Sequence, residues 1–317
     1  MTETGQRTRL GPQPVERCPR ADSSIRLTSS TVQMKMDLMI LITGATGAVG
    51  RPLVHELARA GHKVRALTRT PATAGLPPEV EVARTEDLPL NGVTSIFMNP
   101  AVFWNGLGDL LTRAVENRVR RVVLLSSLAA AAPPNPIGAH HLEFENQIEA
   151  SGLEWTFLRP GAFAANTLQW ADQIRADGVV RGPYADAHTA PIDERDIAAV
   201  AAKALTTDAH IGTKPLLTGP ESLTNADQAR IIGETLGRPV RYEEISPEAA
   251  REAMTGGFAP AEVVDALLSM YAAAVNTPAE VLRTVEQITT NPPRTFKTWT
   301  TANISQFQQI GIATNSA

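Results

Sequence analysis

The chain has a single cysteine, Cys18, among its 317 residues. A disulfide within the chain is therefore excluded, and we expect a reducing, cytoplasmic compartment. The six histidines, at positions 55, 62, 140, 141, 188 and 210, show none of the spacings typical of zinc ligands. We accordingly expect no metal in the site.

Long apolar runs and an excess of positive charge are also missing. No stretch reaches the roughly 18 apolar residues that a membrane helix needs, and the net charge is −4. We therefore expect neither a membrane nor a nucleic acid as a partner. Hydrophobic residues make up 43% of the chain and charged residues 20%, which is typical of a globular protein with a large buried core.

The first 36 residues differ in composition from the rest. Basic residues outnumber acidic ones there, Pro, Ser and Thr are scattered throughout, and hydrophobic periodicity is absent. We interpret residues 1–36 as a disordered tail, or as sequence upstream of a start codon at Met34, Met36 or Met39. An organelle transit peptide is a third interpretation, although the segment lacks the amphipathic pattern of one.

From residue 38 onward, strand-like segments alternate with helical ones. Strands are predicted at 38–42, 63–68, 80–83, 95–98, 122–125 and 155–158, with helices at 52–60, 106–117 and 139–151. This order predicts an α/β fold whose parallel sheet is covered by helices on both faces. Beyond Gly161 the prediction is a looser series, with helices at 197–205, 227–236 and 262–274, strands at 216–218 and 240–245, and further helices opened by Ser246-Pro247 and by the capping sequence Thr277-Pro278-Ala279-Glu280.

The most informative motif is TGATGAVG at residues 43–50, between the first strand and the first helix. Glycines spaced in this way let the backbone approach a pyrophosphate, and the helix that follows offers free N–H groups and the positive end of its dipole. The motif predicts a dinucleotide site made by the loop residues Thr43, Gly44, Thr46, Gly47, Ala48, Val49 and Gly50.

The end of the second strand indicates which dinucleotide is bound. NAD-selective sites place a carboxylate there to bind the ribose 2′-hydroxyl, but this strand ends in Leu67-Thr68-Arg69-Thr70. The Arg69 guanidinium can bind a 2′-phosphate, and Thr68 can add a hydroxyl. We therefore expect NADP(H) in preference to NAD(H).

Several segments together resemble the NmrA-like branch of the atypical short-chain dehydrogenases/reductases. They are the glycine loop, VRALTRTP, SGLEWTFLRPGAF, PIDERDIAAVAA and PRTFKTWTTANISQF, within about residues 38–310. The resemblance implies a Rossmann domain, a nicotinamide cofactor that is usually phosphorylated, and a small C-terminal lobe that shapes a substrate pocket. It also implies one of two activities, since some members reduce quinones, azo compounds or alkaloid intermediates and others only sense the cofactor.

We divide the chain on this basis. Residues 37–160 are expected to form the NAD(P)-binding Rossmann domain, a doubly wound parallel sheet to which residues 193–218 return. Residues 161–192 and 219–317 are expected to form a smaller α/β substrate lobe. A homodimer is compatible with the sequence, because buried and interfacial apolar helices look alike in composition.

The Tyr-Lys pair of ordinary short-chain dehydrogenases is missing. Four residues after each of the three tyrosines stand His188, Ser246 and Val275 rather than lysine. Quinone-reducing relatives carry a lysine near the start of the helix before the sixth strand, where this chain has His140-His141. Neighbouring helix residues diverge by about 100°, so we expect one of them at most to face the nicotinamide, and we favour His140 as a proton donor.

The ends of the fourth, fifth and sixth strands supply the other candidates, because reacting groups lie at the carboxyl edge of such a sheet. We expect Ser126 and Pro100 to contact the cofactor and Ser127 to take part in catalysis. Strand termination explains the serines about equally well. The predicted substrate pocket consists of Val102, Phe103, Trp104, Phe163 and Asn166, although core packing explains Phe103 or Trp104 nearly as well.

Two functions fit these observations. One is an NADPH-dependent reductase of a small electron-poor substrate (quinone, azo or imine-like), for which hydride delivery needs little acid catalysis from the protein. The other is a non-catalytic NADP(H)-binding regulator that senses redox state. A non-redox use of the fold, such as isomerisation, is a third and weaker interpretation.

Overall fold

The computed structural model describes residues 39–103, 106–132, 135–255 and 260–308. The predicted tail, residues 1–36, lies outside these ranges. Seven strands form one sheet: β1 (Met39–Ile42), β2 (Lys63–Thr68), β3 (Glu81–Arg84), β4 (Val93–Met98), β5 (Arg121–Leu125), β6 (Glu154–Pro160) and, later in the chain, β9 (Leu216–Leu217). They are parallel and lie in the order β3-β2-β1-β4-β5-β6-β9. The predicted doubly wound Rossmann sheet is confirmed.

The α-helices of the described residues cover this sheet and continue beyond it. They are α1 (Gly50–Arg59), α2 (Gly108–Glu116), α3 (Pro136–Ala150), α4 (Ala171–Ala176), α5 (Glu194–Thr206), α6 (Asn225–Leu236), α7 (Pro247–Thr255), α8 (Ala261–Ala273), α9 (Thr284–Thr289) and α10 (Phe296–Ala302). Among the described residues, no helix combines the length and the apolar character needed to cross a bilayer.

The sheet is buried on both faces because side chains alternate along each strand. In β1, Ile40 and Ile42 pack into the core beneath α1 and α5, whereas Leu41 packs into the core beneath α2 and α3. This is why the strand is an unbroken apolar run in the sequence. Apolar contacts on both faces therefore fix the position of the loop that leaves β1.

The strand order reverses between β1 and β4. The chain runs outward from β1 to β3, and then crosses back to place β4 on the other side of β1. Loops that leave neighbouring strands in opposite directions open a crevice at the carboxyl edge of the sheet, and ligands of this fold bind in that crevice. The glycine loop and the residues after β4, β5 and β6 all lie at that edge.

The C-terminal part adds two small sheets. β7 (Val179–Gly182) pairs in parallel with β11 (Arg241–Glu244), and β8 (His188–Thr189) pairs antiparallel with β10 (Leu223–Thr224). A separate core lies beside them, and its largest buried side chains are Ile174, Ile232, Phe296, Trp299 and Phe307. The sequence pattern predicted β11 but not its partner β7.

The helix predicted at Thr277-Pro278-Ala279-Glu280 is wrong, since the next helix, α9, begins only at Thr284. The backbone of this segment is bound by a neighbouring loop instead. The Ala279 N–H donates to Ser222 Oγ at 2.8 Å, and the Leu282 N–H donates to Thr218 Oγ1 at 2.9 Å. Tertiary partners have replaced the capping interactions that the local sequence offers.

Candidate active site

The glycine loop has a backbone that larger residues could not adopt. Gly44 has φ of +62°, which L-residues rarely take up. A Cβ on Gly50 would stand 2.1 Å from the Gly44 carbonyl oxygen, so the first turn of α1 packs directly on the loop. Gly47 and Ala48 are exposed at its tip. The loop is thus a cradle in which the backbone itself forms the open surface.

The N-terminus of α1 offers unused donors to this cradle. Val49 precedes the helix and makes no side-chain capping bond. The backbone N–H groups of Ala48 and Val49 meet no acceptor in the described parts of the chain. Free N–H groups at the positive end of a helix bind phosphate well. The residues present therefore fit a dinucleotide pyrophosphate.

The two threonines of the loop are engaged with neighbouring strands. Thr43 is fully buried; its Oγ1 donates to the Phe97 carbonyl at 3.1 Å and accepts from the Asn99 N–H at 2.8 Å. It therefore ties the loop to the end of β4. Thr46 Oγ1 lies 3.4 Å from Thr68 Oγ1 at the end of β2.

Two arginines border the loop after β2: Arg69 from the loop itself and Arg51 from the start of α1. Arg69 is exposed and makes no hydrogen bond or ion pair within the described ranges, so its guanidinium is available. Arg51, which the sequence analysis did not single out, donates to the carbonyls of Ala74 and Gly75, both at 2.9 Å. Arg51 thereby holds the loop beyond Arg69 against the start of α1. The position of Arg51 directly after Gly50, the last glycine of the loop, was the sequence feature that could have identified it.

A cleft of about 450 Å³ opens beside the loop at the carboxyl ends of β4, β5 and β6. Six predicted site residues border it: Pro100, Ser126, Ser127, His140, Phe163 and Asn166. Six further residues line it that the sequence analysis did not select, namely Asn99, Ala101, Leu125, His141, Pro160 and Gly161.

Two of the predicted pocket residues, Val102 and Phe103, do not line the described part of this cleft. Val102 ends a short 3₁₀ turn, Pro100–Val102, and is half-buried. Phe103 is partly buried and packs against the core beneath α2 and α3. Trp104 lies outside the described residues.

Ser126 is bound to a buried ionic network. Its Oγ donates to Glu145 Oε1 at 2.5 Å. Arg159 binds both oxygens of the same carboxylate, at 2.9 and 2.6 Å, and Lys214 Nζ lies 3.5 Å from it. Since its only proton is committed to Glu145, Ser126 can offer the cleft an acceptor but not a donor.

The Glu145 carboxylate is fully buried, and its charge depends on this network. Burial acts to raise its pKa, but hydrogen bonds from Arg159 and Ser126 outweigh burial, so the pKa lies below its ordinary value. Glu145 is therefore ionised at neutral pH and anchors α3 to β5 and β6.

Ser127 differs from Ser126 because its oxygen, rather than its proton, is engaged by a neighbouring group. Its Oγ accepts the Ala129 N–H at 3.2 Å, which caps the short 3₁₀ helix Leu128–Ala131. Its hydroxyl proton has no acceptor among the described residues, so Ser127 can donate to a group in the cleft. The two serines thus offer the site one acceptor and one donor.

Helix α3 begins three residues earlier than predicted, at Pro136, because Asn135 caps it by accepting the Gly138 N–H at 2.7 Å. The histidines consequently lie in its second turn, and both border the cleft. The His140 ring packs edge-on against Phe144, with centroids 4.8 Å apart.

His141 is held in its neutral form. Burial and, to a smaller extent, the neighbouring His140 lower its pKa to about 4, and Glu145 opposes the shift. Its Nδ1 is enclosed by protein and meets no partner among the described residues. At neutral pH, His141 is therefore an uncharged ring at the wall of the cleft.

The acidic residues at the start of α5 make structural contacts. Asp193 accepts the Arg195 N–H at 2.9 Å. Buried Glu194 accepts from the Ala165 N–H and from the Trp299 indole, both at 2.8 Å. Asp196 binds the Arg294 backbone at 2.7 Å. These bonds attach the C-terminal segments to the main sheet.

The described residues contain no group of three metal-ligating side chains that could hold a metal ion. No tyrosine lines the described part of the cleft. Tyr242 and Tyr271 line a separate cavity of about 290 Å³ between β11, α7 and α8. A phenol acid is thus missing from the described wall of the cleft.

Comparison with known proteins agrees with this geometry. A family of NAD(P)H-binding domains matches residues 44–208. The chain belongs to this family. The match agrees with the nucleotide-binding domain that the sequence motifs predicted.

Two curated relatives align along almost their whole length. A (4-alkanoyl-5-oxo-2,5-dihydrofuran-3-yl)methyl phosphate reductase from Streptomyces griseus is 37% identical over 280 residues, which covers 85% of this chain and 99% of the relative. An NAD(P)H azoreductase from Xenophilus azovorans is 35% identical over 284 residues, with the same shares of 85% and 99%.

Solved structures share the fold. An NADPH-dependent quinone oxidoreductase from Escherichia coli superimposes with a TM-score of 0.70 at 24% identity, covering 84% of this chain and 99% of that one. NmrA, a negative transcriptional regulator solved with NADP, gives a TM-score of 0.66 at 17% identity, with coverage of 85% and 96%.

Proposed function

We propose that this protein is an NADPH-dependent reductase of a small, electron-poor substrate of the quinone, azo or imine type. The observation that carries the proposal is the 450 Å³ cleft at the strand ends, which lies beside a glycine loop with unused N–H donors. The relatives at 37% and 35% identity, both named as reductases, support it.

The cofactor is assigned to the residues that fit its phosphates. Ala48, Val49 and the glycines of the loop bind the pyrophosphate through backbone N–H groups. Arg69 and Thr68 bind the 2′-phosphate, which makes NADP(H) the preferred form. Pro100 and Ser126 border the nicotinamide end of the site. Residues 37–160 with 193–218 then form the nucleotide domain, and 161–192 with 219–317 the substrate lobe.

When bound, the reduced nicotinamide supplies the hydride. The chain positions the acceptor, excludes water and handles the proton. Phe163 and Asn166 form the wall of the cleft on the substrate side. Ser127 donates a hydrogen bond to the substrate. His140 supplies the final proton, because an imidazole can act as a general acid within reach of the cleft that it borders.

A second candidate function is a non-catalytic NADP(H)-binding regulator. The described wall of the cleft contains no tyrosine, so the usual acid of short-chain dehydrogenases is missing where it would act. Three polar side chains that border the cleft favour the reductase: Ser127 and the two histidines of α3, His140 and His141. Each can offer a hydrogen bond or a proton to a substrate in the cleft.

One experiment separates the two candidates. NADPH oxidation is followed by absorbance with a panel of quinones, azo dyes and imines, while NADPH binding is measured independently by calorimetry. The reductase predicts turnover with at least one acceptor. Tight NADPH binding without turnover of any acceptor would identify the regulator. His140→Ala should lower turnover, and unchanged rates across the pH range would remove His140 as proton donor.

A further inference from the structure

His141 carries the single buried side-chain nitrogen or oxygen without a hydrogen-bond partner among the described residues. This atom is Nδ1. Unpaired buried polar atoms are uncommon because each loses its bonds to water and gains nothing in return. Here the unpaired atom belongs to a ring at the wall of the cleft, which suggests that the ring is kept for a task other than stability.

The surroundings decide where the ring proton resides. A neutral imidazole has one N–H and one acceptor nitrogen. A proton on Nδ1 would be enclosed without an acceptor, whereas Nε2 is not enclosed and makes no bond within the described ranges. The proton is therefore more stable on Nε2, where water or a ligand in the cleft can accept it.

We propose that His141 is the substrate-binding hydrogen-bond donor of this site, and that its Nε2–H binds a lone pair on the group being reduced. The inference rests on the proposed reductase function and deepens it. A neutral N–H donor at this position favours substrates with a neutral acceptor atom at the reacting group, such as a quinone carbonyl or an azo nitrogen. It disfavours iminium cations, whose nitrogen has no lone pair to offer.

The chemistry of the reduction explains why a neutral donor is useful. When hydride adds to a quinone or azo group, the π-electron pair moves onto the carbonyl oxygen or the second nitrogen. Negative charge therefore develops at the atom that Nε2–H binds, and the bond strengthens as the reaction proceeds. One proton, from His140 or water, then completes the two-electron reduction by the nicotinamide.

Other donors line the cleft, including Ser127 and the amides of Asn99 and Asn166, but none of them lies on α3 beside His140. The Ser126 proton is bound by Glu145. His140 lies edge-on against Phe144, 4.8 Å between centroids, and is assigned the proton transfer. Ser127 is the remaining hydroxyl donor, and it stands at the end of β5 rather than on α3. His141 thus has a separate position from which to bind the substrate.

Two variants test the role of the ring. His141→Leu removes both nitrogens, and His141→Gln restores an N–H at about the reach of Nε2. With a quinone or azo acceptor we expect His141→Leu to lower kcat by about 10- to 100-fold and His141→Gln to recover part of it. Asn146→Ala, at an exposed position on the same helix, is the matched control and should leave kcat unchanged.

Stability and nucleotide affinity separate this role from a structural one. Because Nδ1 has no hydrogen-bond partner in the described ranges, His141→Leu should melt at the same temperature as the wild type or higher, and its NADPH affinity should be unchanged. A lower melting temperature together with unchanged kcat would mean that the ring only packs, and would overturn the inference.

The tautomer is measured directly by ¹⁵N NMR at neutral pH, with His141 assigned by comparison with His141→Gln. We expect the proton on Nε2, and a change in the Nε2 resonance when a quinone is added. A proton on Nδ1 would overturn the inference even if turnover is observed. If the wild type oxidises no NADPH with any acceptor, the reductase proposal fails, and the NMR result still decides the tautomer.

Discussion

The glycine loop and the strand-end cleft lie side by side but are built in different ways. The loop is defined by its backbone: a positive φ at Gly44, a contact at Gly50 that leaves no room for a side chain, and N–H groups that meet no acceptor among the residues that the structure describes. The cleft is defined by side chains that come from several strands and from α3. A site made of backbone leaves its pattern in consecutive residues, whereas a site made of side chains does not.

The largest predicted effect is a loss of stability when the ionic network that supports the cleft is broken. Glu145→Leu should lower the free energy of unfolding by about 3–5 kcal/mol, because the partly buried Arg159 loses the carboxylate that it binds at two points. Urea unfolding measures it. Glu149→Gln is the matched control, since it breaks only a more exposed contact with Lys214, and it should cost less than about 1 kcal/mol. Equal effects of the two changes would show that the buried network is not the support of the cleft.

Nucleotide binding by the glycine loop should be highly sensitive to the addition of a single methyl group. Gly50→Ala places a Cβ against the Gly44 carbonyl, so the loop must shift, and NADPH affinity should fall by about 100-fold or more. Calorimetry measures the dissociation constant, with Ala60→Ser at the exposed end of α1 as control. Affinity within twofold of the wild type would contradict a backbone-built cradle.

Cofactor choice depends on a side chain at the edge of the backbone site. Arg69→Ala should weaken NADPH binding by about 10- to 30-fold, equivalent to about 1.4–2 kcal/mol, and leave NADH binding unchanged, because the 2′-phosphate alone loses its partner. Arg59→Ala, on the exposed end of α1, controls for general loss of positive charge. An unchanged NADPH/NADH ratio would remove Arg69 from the site.

The smallest predicted effect is a pH dependence of the free energy of unfolding that His141, at the wall of the cleft, causes. Burial lowers the pKa of His141 to about 4 from 6.5. Below pH 6.5 the unfolded chain binds a proton that the folded chain does not, so stability should fall as pH drops from about 6.5 to 4. The shift corresponds to at most about 3 kcal/mol, and the partial exposure of the ring reduces this to about 1–2 kcal/mol.

The comparison of wild type with His141→Leu isolates this contribution, because other groups titrate equally in both. Chemical unfolding at several pH values should give a difference between the two proteins that grows as pH falls and is constant above pH 7. A difference that does not change with pH would mean that His141 titrates normally in the folded chain.

The order of strands and helices was predictable because apolar periodicity and glycine positions are local. The pairing of β11 with β7 could not be predicted. The separate core around Ile174 and Ile232 brings these two strands together, and no neighbouring turn connects them. The capping sequence at Thr277 failed for the same reason, because Ser222 and Thr218 take its N–H groups.

The site divides in the same way. The loop residues followed from their spacing. Phe103 was expected on the cleft, but an aromatic residue after a strand packs as readily into the core. His140 was favoured because it takes the place of the lysine of quinone-reducing relatives, and a helical separation of about 100° indicated that at most one of the two neighbours faces the nicotinamide. A cleft that is wide enough borders both, and its width cannot be read from one helix.

The central claim is that the loop at the end of β1 binds a phosphorylated nicotinamide nucleotide. Titration calorimetry of the full chain with NADPH, NADP, NADH and NAD tests it most directly. The predicted result is one nucleotide bound per chain, with the phosphorylated forms bound more tightly. Absence of binding by all four nucleotides would contradict it.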